Sequence, residues 1–79
     1  MSATPAEKIT RMANQIARFM ESKPKEEGLV GLSSHINDFW EPRMRRQFFQ
    51  KLDAGETGFR PLVLEAAGAI RRPAAEEAA

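Results

Sequence analysis

The chain has 79 residues, with 12 basic and 11 acidic side chains, one histidine and no cysteine. A chain of this length forms one modest core, which disulfides cannot reinforce here. The lack of cysteine also excludes thiolate nucleophiles, thiolate-held iron–sulfur clusters and cysteine-based zinc sites. The balanced charge, the absence of a long apolar run and an N-terminus without signal-peptide features predict a cytoplasmic protein that contacts neither nucleic acid nor membrane.

Four segments have the apolar spacing of amphipathic helices and residues that favour a helix start or end at their boundaries. No segment is typical of a strand. Short connections between such helices favour a compact all-α arrangement. We therefore predict one domain of four short helices over residues 4–72, docked on a larger partner. Residues 73–79 are small or acidic, and we predict a disordered tail there.

The first helix is predicted to run from Pro5 to Ser22, before the break at Pro24. Thr4 suits the N-cap position, and Glu7 completes a capping box with it. The apolar stripe of this helix comprises Ile9, Met12, Ile16, Phe19 and Met20.

The second helix is predicted from Lys25 to Phe39, with an acidic first turn that suits the helix dipole. Its stripe comprises Leu29, Leu32, Ile36 and Phe39, with Trp40 at the edge. Gly28 and Gly31 each weaken a helix by about 1 kcal/mol relative to alanine. Alternatively, they permit the close approach of another backbone, and the sequence leaves both interpretations open.

The third helix is predicted to start near Pro42 and to end before Gly55, a suitable C-cap glycine. The fourth is predicted to start near Pro61 and to stop before Pro73. The inward face of the third helix comprises Met44, Phe48 and Leu52. That of the fourth helix comprises Leu62, Val63, Ala66 and Ile70. Three apolar residues project away from the main faces of their helices, either as scatter or as parts of a second buried face: Val30, Phe49 and Leu64.

The sequence offers little for catalysis. His35 and Asp38 lie three residues apart on the second helix, a spacing that an acid–base or metal pair could use. A surface histidine beside a solvated carboxylate is the simpler interpretation. Residues 55–58 lack the lysine and the strand of a phosphate-binding loop and read as a turn. We predict no catalytic, cofactor-binding or metal-binding residue in this chain.

Aromatic and basic side chains cluster around the start of the third helix. Arg43, Arg45 and Arg46 suit phosphate binding, a solvated helix face or a protein interface. Phe49 lies one turn after Arg45, so the two could stack as a cation–π pair. Phe49 and Trp40 are equally interpretable as core residues and as anchors for a partner.

Two runs of sequence resemble a known family. The run RMANQIARF, from Arg11 to Phe19, resembles the opening helix of the delta subunit of soluble NAD-dependent formate dehydrogenases. The run HINDFWEPRMR, from His35 to Arg45, resembles the central signature of that family. The resemblance extends from Lys8 to Ile70 and includes the downstream pattern of Gly55, Gly58, Pro61 and Val63.

The resemblance implies a non-catalytic accessory subunit of a complex that oxidises formate to carbon dioxide and reduces NAD. Its partners would be the large catalytic subunit, with a molybdenum or tungsten pterin and iron–sulfur clusters, and the diaphorase subunit, with FMN and NAD. This chain would bind no cofactor itself. It would bind the complex and stabilise it or help to assemble it.

The side chains that we expect to contact the partner are Asn14, Arg18, Trp40, Arg43, Arg45 and Phe49. Two alternative functions remain open at this point. The chain could be a transient maturation factor for the cofactor-bearing subunit, or a small helical regulator that binds nucleic acid.

Overall fold

The computed structural model describes residues 5–55 and 58–73. In these residues the chain forms four α-helices and no strand: α1 (Pro5–Met20), α2 (Lys25–Phe39), α3 (Pro42–Asp53) and α4 (Pro61–Ala66). A short 3-10 turn, Ala67–Ala69, follows α4. The predicted all-α fold is confirmed. Thr4 and residues 74–79 lie outside the described residues, as therefore do the predicted N-cap and most of the predicted tail.

Prolines set the starts of the helices, as predicted. Pro42 and Pro61 occupy the first turns of α3 and α4, where a missing backbone N–H costs nothing. The predicted ends are less accurate. α1 stops at Met20 rather than Ser22, because the Ser22 hydroxyl donates to the Phe19 carbonyl at 2.8 Å as the chain turns. α4 ends at Ala66, several residues earlier than expected.

The C-terminal end of α3 is closed as the sequence predicted. Gly55 has a φ of +75°, in the left-handed region that a side chain disfavours. Its N–H donates to the Leu52 carbonyl at 3.0 Å, and the Ala54 N–H donates to the Gln50 carbonyl at 3.0 Å. These bonds satisfy carbonyls that the last turn of a helix otherwise leaves free.

The core uses most of the predicted stripe of α1, since Met12, Ile16 and Met20 pack against it, but Phe19 is not part of it and two alanines are. Ile9 is buried as expected, but Ala13 and Ala17 are also completely buried. Phe19, predicted to point inward, is 63% exposed. The prediction for Phe19 was wrong because the large apolar side chains were weighted over the alanines, whose small size lets other helices approach α1 closely.

The prediction also failed at the end of α2, for a different reason. Leu32 and Ile36 are fully buried as predicted, whereas Phe39 is 73% exposed. Trp40, placed at the edge of the stripe, is buried instead. The helix ends at Phe39 and Trp40 takes an extended conformation, so its indole leaves the helical register and turns into the core.

The contact of Gly28 with the end of α1 decides between the two interpretations of this glycine. A Cβ added at Gly28 would lie 2.8 Å from the carbonyl oxygen of Met20, closer than side-chain carbons ever come to such an atom. Gly28 therefore lets the backbones of α1 and α2 approach each other at the α1–α2 turn. A Cβ at Gly31 would meet the flexible side chain of Met20 instead.

Aromatic rings fill the centre of the core. The ring of Phe48, which is fully buried, makes edge-on contacts with Trp40, Phe49 and Phe59 at centroid distances of 6.3, 5.1 and 5.2 Å. Such geometry sets the positive edge of one ring against the negative face of the next. Phe59, which precedes α4, was not predicted to contribute. Its burial shows that the segment before α4 is part of the core.

The fourth helix covers this cluster with its predicted face, since Leu62, Val63 and Ala66 are buried, and Ile70, which lies beyond the end of the helix, is buried as well. Val30 and Leu64, predicted to lie off the main faces, are 64% and 50% exposed. None of the helices in residues 5–55 and 58–73 combines the length and the apolar character that a membrane span requires. The cytoplasmic location itself remains a prediction.

Candidate partner-binding surface

Asn14 holds the segment before α4 against α1. Its side-chain nitrogen donates to the Gly58 carbonyl at 2.7 Å, and its side-chain oxygen accepts from the Arg60 N–H at 2.9 Å. The two bonds bracket Phe59 and keep its ring in the core. Asn14 was predicted to contact a partner, which remains untested. In the structure its amide is engaged within the chain.

Trp40 and Arg45 form one internal unit at the α2–α3 corner. Arg45 is only 8% exposed, and its Nε donates to the Trp40 carbonyl at 3.4 Å. Its Nη1 donates to the Arg71 carbonyl at 2.8 Å. A buried guanidinium needs such acceptors, because an unpaired charge in the interior is costly. Arg45 thus connects the α2–α3 corner to the C-terminal segment.

Phe49 belongs to the aromatic core rather than to the surface of the isolated chain, since it is 5% exposed. The sequence spacing would have allowed Arg45 to stack on its ring. The cation over Phe49 is instead Arg72, whose guanidinium carbon lies 4.2 Å from the ring centroid. Arg72 also forms a bidentate pair with Asp53, at 2.9 and 3.0 Å. Sequence spacing along α3 could not reveal a contact with the C-terminal segment.

The three arginines of α3 do not form a continuous basic face. Arg43 is exposed, Arg45 is buried and Arg46 is partly buried. Within the described residues, the Nε of Arg46 is buried without a hydrogen-bond partner. Phosphate recognition generally requires several cations that reach the same backbone. This arrangement therefore does not favour the nucleic-acid interpretation of the cluster.

His35 packs its ring against an aromatic neighbour. Its ring lies 4.8 Å from the ring of Phe39, centroid to centroid, at an interplanar angle of 36°. In residues 5–55 and 58–73, no three histidine or carboxylate side chains come together in a way that could hold a metal ion. The predicted interpretation of His35 as a surface side chain agrees with its partial exposure.

A surface cleft of about 490 Å³, called the α1 cleft below, lies between α1, the end of α3 and the segment before α4. Its basic side chains are Arg11, Arg18, Lys51 and Arg60, and its acidic one is Glu7. The remaining lining residues are Thr10, Asn14 and Gln15. Arg18 was predicted as a partner contact, and it is exposed at this cleft.

One pair at the rim of the α1 cleft is already neutralised. Arg60 donates to both carboxylate oxygens of Glu21, at 2.7 and 2.8 Å. The hydrogen bonds from Arg60 hold the pKa of Glu21 below its ordinary value, and the charges of Arg60 and Arg18 act in the same direction. Because the Glu21 carboxylate is taken by Arg60, it leaves Arg18 without a hydrogen-bonded partner among the described residues.

The model of the NADH-dependent formate dehydrogenase delta subunit family, FdsD, matches residues 8–67 of this chain. The chain belongs to this family. The resemblance inferred from the two sequence runs is thereby confirmed. Comparisons with curated protein sequences and with solved structures gave no match.

The match to the delta subunit family includes most of the folded chain. Residues 8–67 contain nearly all of α1 and the whole of α2, α3 and α4. They also contain Asn14, Arg18, Arg43 and the aromatic cluster around Phe48. The segment of residues 69–72 follows the matched region, and Arg45 donates a hydrogen bond to the Arg71 carbonyl within it.

Proposed function

We propose that this chain is a non-catalytic accessory subunit that binds the large catalytic subunit of an NAD-dependent formate dehydrogenase, alongside its diaphorase subunit. It stabilises that complex or helps to assemble it. The observation that carries the proposal is the match of residues 8–67 to the delta subunit family. In this proposal the partner subunits hold the molybdenum or tungsten pterin, the iron–sulfur clusters, FMN and NAD.

The surface of the domain supports a role in binding a partner. Two large aromatic side chains, Phe19 and Phe39, are mostly exposed. Aromatic residues and arginines are enriched at the energetically important centres of protein interfaces. A subunit that binds the native conformation of a partner stabilises that conformation in proportion to its concentration relative to the dissociation constant.

The α2–α3 corner offers both residue types. Phe39 is 73% exposed, and Arg43 is exposed in the first turn of α3. The buried Trp40 lies between them in sequence, and Arg45 fixes its carbonyl from below. In this proposal Trp40, Arg45 and Phe49 act by fixing the corner, and Phe39 and Arg43 make the contact. On α1, Asn14 fixes the segment before α4, and the exposed Arg18 makes the contact.

Native mass spectrometry of the complex, purified through a tag on this chain and assayed for formate-dependent NAD reduction, tests the proposal. We expect this chain in a fixed ratio with large metal-containing subunits, in an active preparation. A chain that emerges alone would contradict the proposal. Association only with inactive, cofactor-free enzyme would point to a transient maturation factor instead.

A double variant tests the corner itself. Phe39→Ala with Arg43→Ala removes two exposed side chains, so the domain should keep its thermal stability while its retention in the complex falls. The matched control is Val30→Ala with Glu27→Ala, which removes an exposed apolar and an exposed charged side chain from the first half of α2. Equal retention of both variants would place the contact away from the α2–α3 corner.

A further inference from the structure

The charges in the α1 cleft are unbalanced. Among the residues that the structure describes, four basic side chains line it and one acidic side chain, Glu7, lies beside them. Arg60 is paired with Glu21 at the rim. Among the described residues, no carboxylate forms an ion pair with Arg11 or Arg18. These two guanidinium groups therefore reach solvent with their hydrogen-bonding capacity unused.

Arg11 and Arg18 are placed to act together. They are seven residues apart on α1, which is nearly two turns, so their side chains leave the same face about 10 Å apart along the axis. Another face of the same helix is packed into the core, since Ala13 and Ala17 are completely buried. A guanidinium group binds a carboxylate through two parallel hydrogen bonds, a geometry that lysine cannot provide.

We infer that the α1 cleft binds an acidic segment of the larger formate dehydrogenase subunit, with Arg11 and Arg18 each pairing with a carboxylate. This inference rests on the proposed function and names the chemistry of the contact. The nearly neutral chain, with a formal charge of +1, and the divided arginines of α3 favour a protein carboxylate over a nucleic-acid phosphate.

A second cleft, of about 480 Å³, shows what distinguishes the first. It also contains Lys23, Lys25 and Arg60, but its charges are largely used within the chain. Lys25 pairs with Glu65 at 2.6 Å, and the ammonium of Lys23 lies 5.4 Å from the ring centroid of Phe19. A partner carboxylate would have to displace an existing pair there. In the α1 cleft, no carboxylate among the described residues is hydrogen-bonded to Arg11 or Arg18.

Charge reversal in the full complex tests the inference. Arg11→Glu with Arg18→Glu should weaken association with the tagged large subunit by at least about 10-fold, because like charges then face each other across the interface. The control, Lys23→Glu with Lys25→Glu, makes the same change in net charge at the second cleft and should bind within about 3-fold of wild type. Circular dichroism melts of both variants verify folding.

A milder pair of variants covers the case in which the reversed chain does not fold. Arg11→Gln with Arg18→Gln keeps hydrogen-bond donors and removes the charge, whereas Arg11→Lys with Arg18→Lys keeps the charge and removes the planar fork. The Gln variant should lose most of the dependence of binding on sodium chloride concentration. The Lys variant should bind more tightly than the Gln variant and less tightly than wild type.

The outcomes separate the two proposals. If the wild-type chain does not associate with the large subunit, the proposed function is wrong. If it associates and the Glu and Gln variants are retained as well as the Lys23 and Lys25 control, the function stands and the inference about the α1 cleft is overturned. Tighter binding of a duplex DNA probe than of the large subunit would also overturn it.

Discussion

The amides of Asn14 and Asn37 make the same pair of hydrogen bonds to two different backbone segments. Asn14 donates to the Gly58 carbonyl and accepts from the Arg60 N–H, so it brackets Phe59. Asn37 donates to the Ala69 carbonyl at 3.0 Å and accepts from the Arg71 N–H at 2.8 Å, so it brackets Ile70.

These two contacts explain how a short helix is held in place. α4 has six residues, too few to be stable alone. Phe59 precedes it and Ile70 follows it, and both are buried. One edge of an asparagine amide presents a donor and an acceptor side by side, so it can pair with the N–H and C=O groups of an irregular backbone segment as a neighbouring strand would. α1 therefore fixes the entrance to α4, and α2 fixes its exit.

The first prediction concerns these amides. Asn14→Ala and Asn37→Ala should each lower the free energy of unfolding by about 1–2 kcal/mol, because each leaves a backbone donor and acceptor without their partner. Gln15→Ala, an exposed neighbour on α1, is the control and should change stability by less than about 0.5 kcal/mol. Chemical denaturation monitored by circular dichroism measures all three. Equal effects of Asn14→Ala and Gln15→Ala would show that the Asn14 contacts contribute nothing net.

The second prediction uses two glycines that differ in their surroundings. Gly28→Ala should destabilise the domain by about 1–3 kcal/mol, because the new Cβ would lie 2.8 Å from the carbonyl oxygen of Met20 and would separate α1 from α2. Gly68→Ala meets nothing within 4 Å, so it should be neutral or stabilise by up to about 1 kcal/mol through the unfolded state. Thermal melts of the two variants provide the comparison. A neutral Gly28→Ala would mean that the two backbones separate at little cost.

The third prediction contrasts a buried and an exposed phenylalanine. Phe48→Ala should cost about 3–5 kcal/mol, enough to unfold much of a domain this small, because it removes the ring at the centre of the aromatic cluster. Phe39→Ala should leave the melting temperature nearly unchanged, since the ring is 73% exposed. Far-ultraviolet circular dichroism and melting temperature distinguish the two. Similar losses in both variants would contradict the assigned burial.

The fourth prediction concerns acid. Hydrogen bonds from Arg60 lower the pKa of Glu21, and those from Arg72 lower the pKa of Asp53. A carboxyl group whose pKa is lower when folded stabilises the fold above its ordinary pKa, here 4.5 for Glu21 and 3.8 for Asp53. That stability is lost as the pH falls through the lowered values.

Melting temperatures measured from neutral pH down through this acid range test the fourth prediction. The wild-type domain should lose stability below the two ordinary values, and Glu21→Gln with Asp53→Asn should lose less over the same range. Because both carboxylates are exposed, the difference should be small and should shrink further in high salt. Parallel curves for the two proteins would show that other carboxyl groups dominate the acid transition.

Much of the fold follows from local sequence. The prolines at the starts of α3 and α4, the glycine after α3 and the apolar spacing of Leu32 and Ile36 act through neighbours within a turn or two, which a sequence displays directly. The two runs that resemble the delta subunit family are also local, and the family match confirmed them.

The candidate surface was less predictable, because burial depends on partners far away in the chain. Periodicity placed Phe19 and Phe39 inward, yet both side chains are exposed, and Ala13 and Ala17 occupy buried positions on α1. From the sequence alone, Arg45 is interpreted as a surface cation. The Arg71 carbonyl that accepts its hydrogen bond lies 26 residues later in the chain. Arg11 was not predicted as a contact, since the α1 cleft exists only once the segment before α4 lies against α1.

The sequence by itself therefore determined the helical class, the starts of the helices and the family of this chain. The tertiary structure decided which face of α1 is buried and which arginines remain accessible. It also explains why position 28 requires glycine. The physical reason is sequence separation. Helix signals act over three or four residues, whereas Asn14 reaches its backbone partners across 44 and 46 residues. Contacts of that range appear only when the helices have packed.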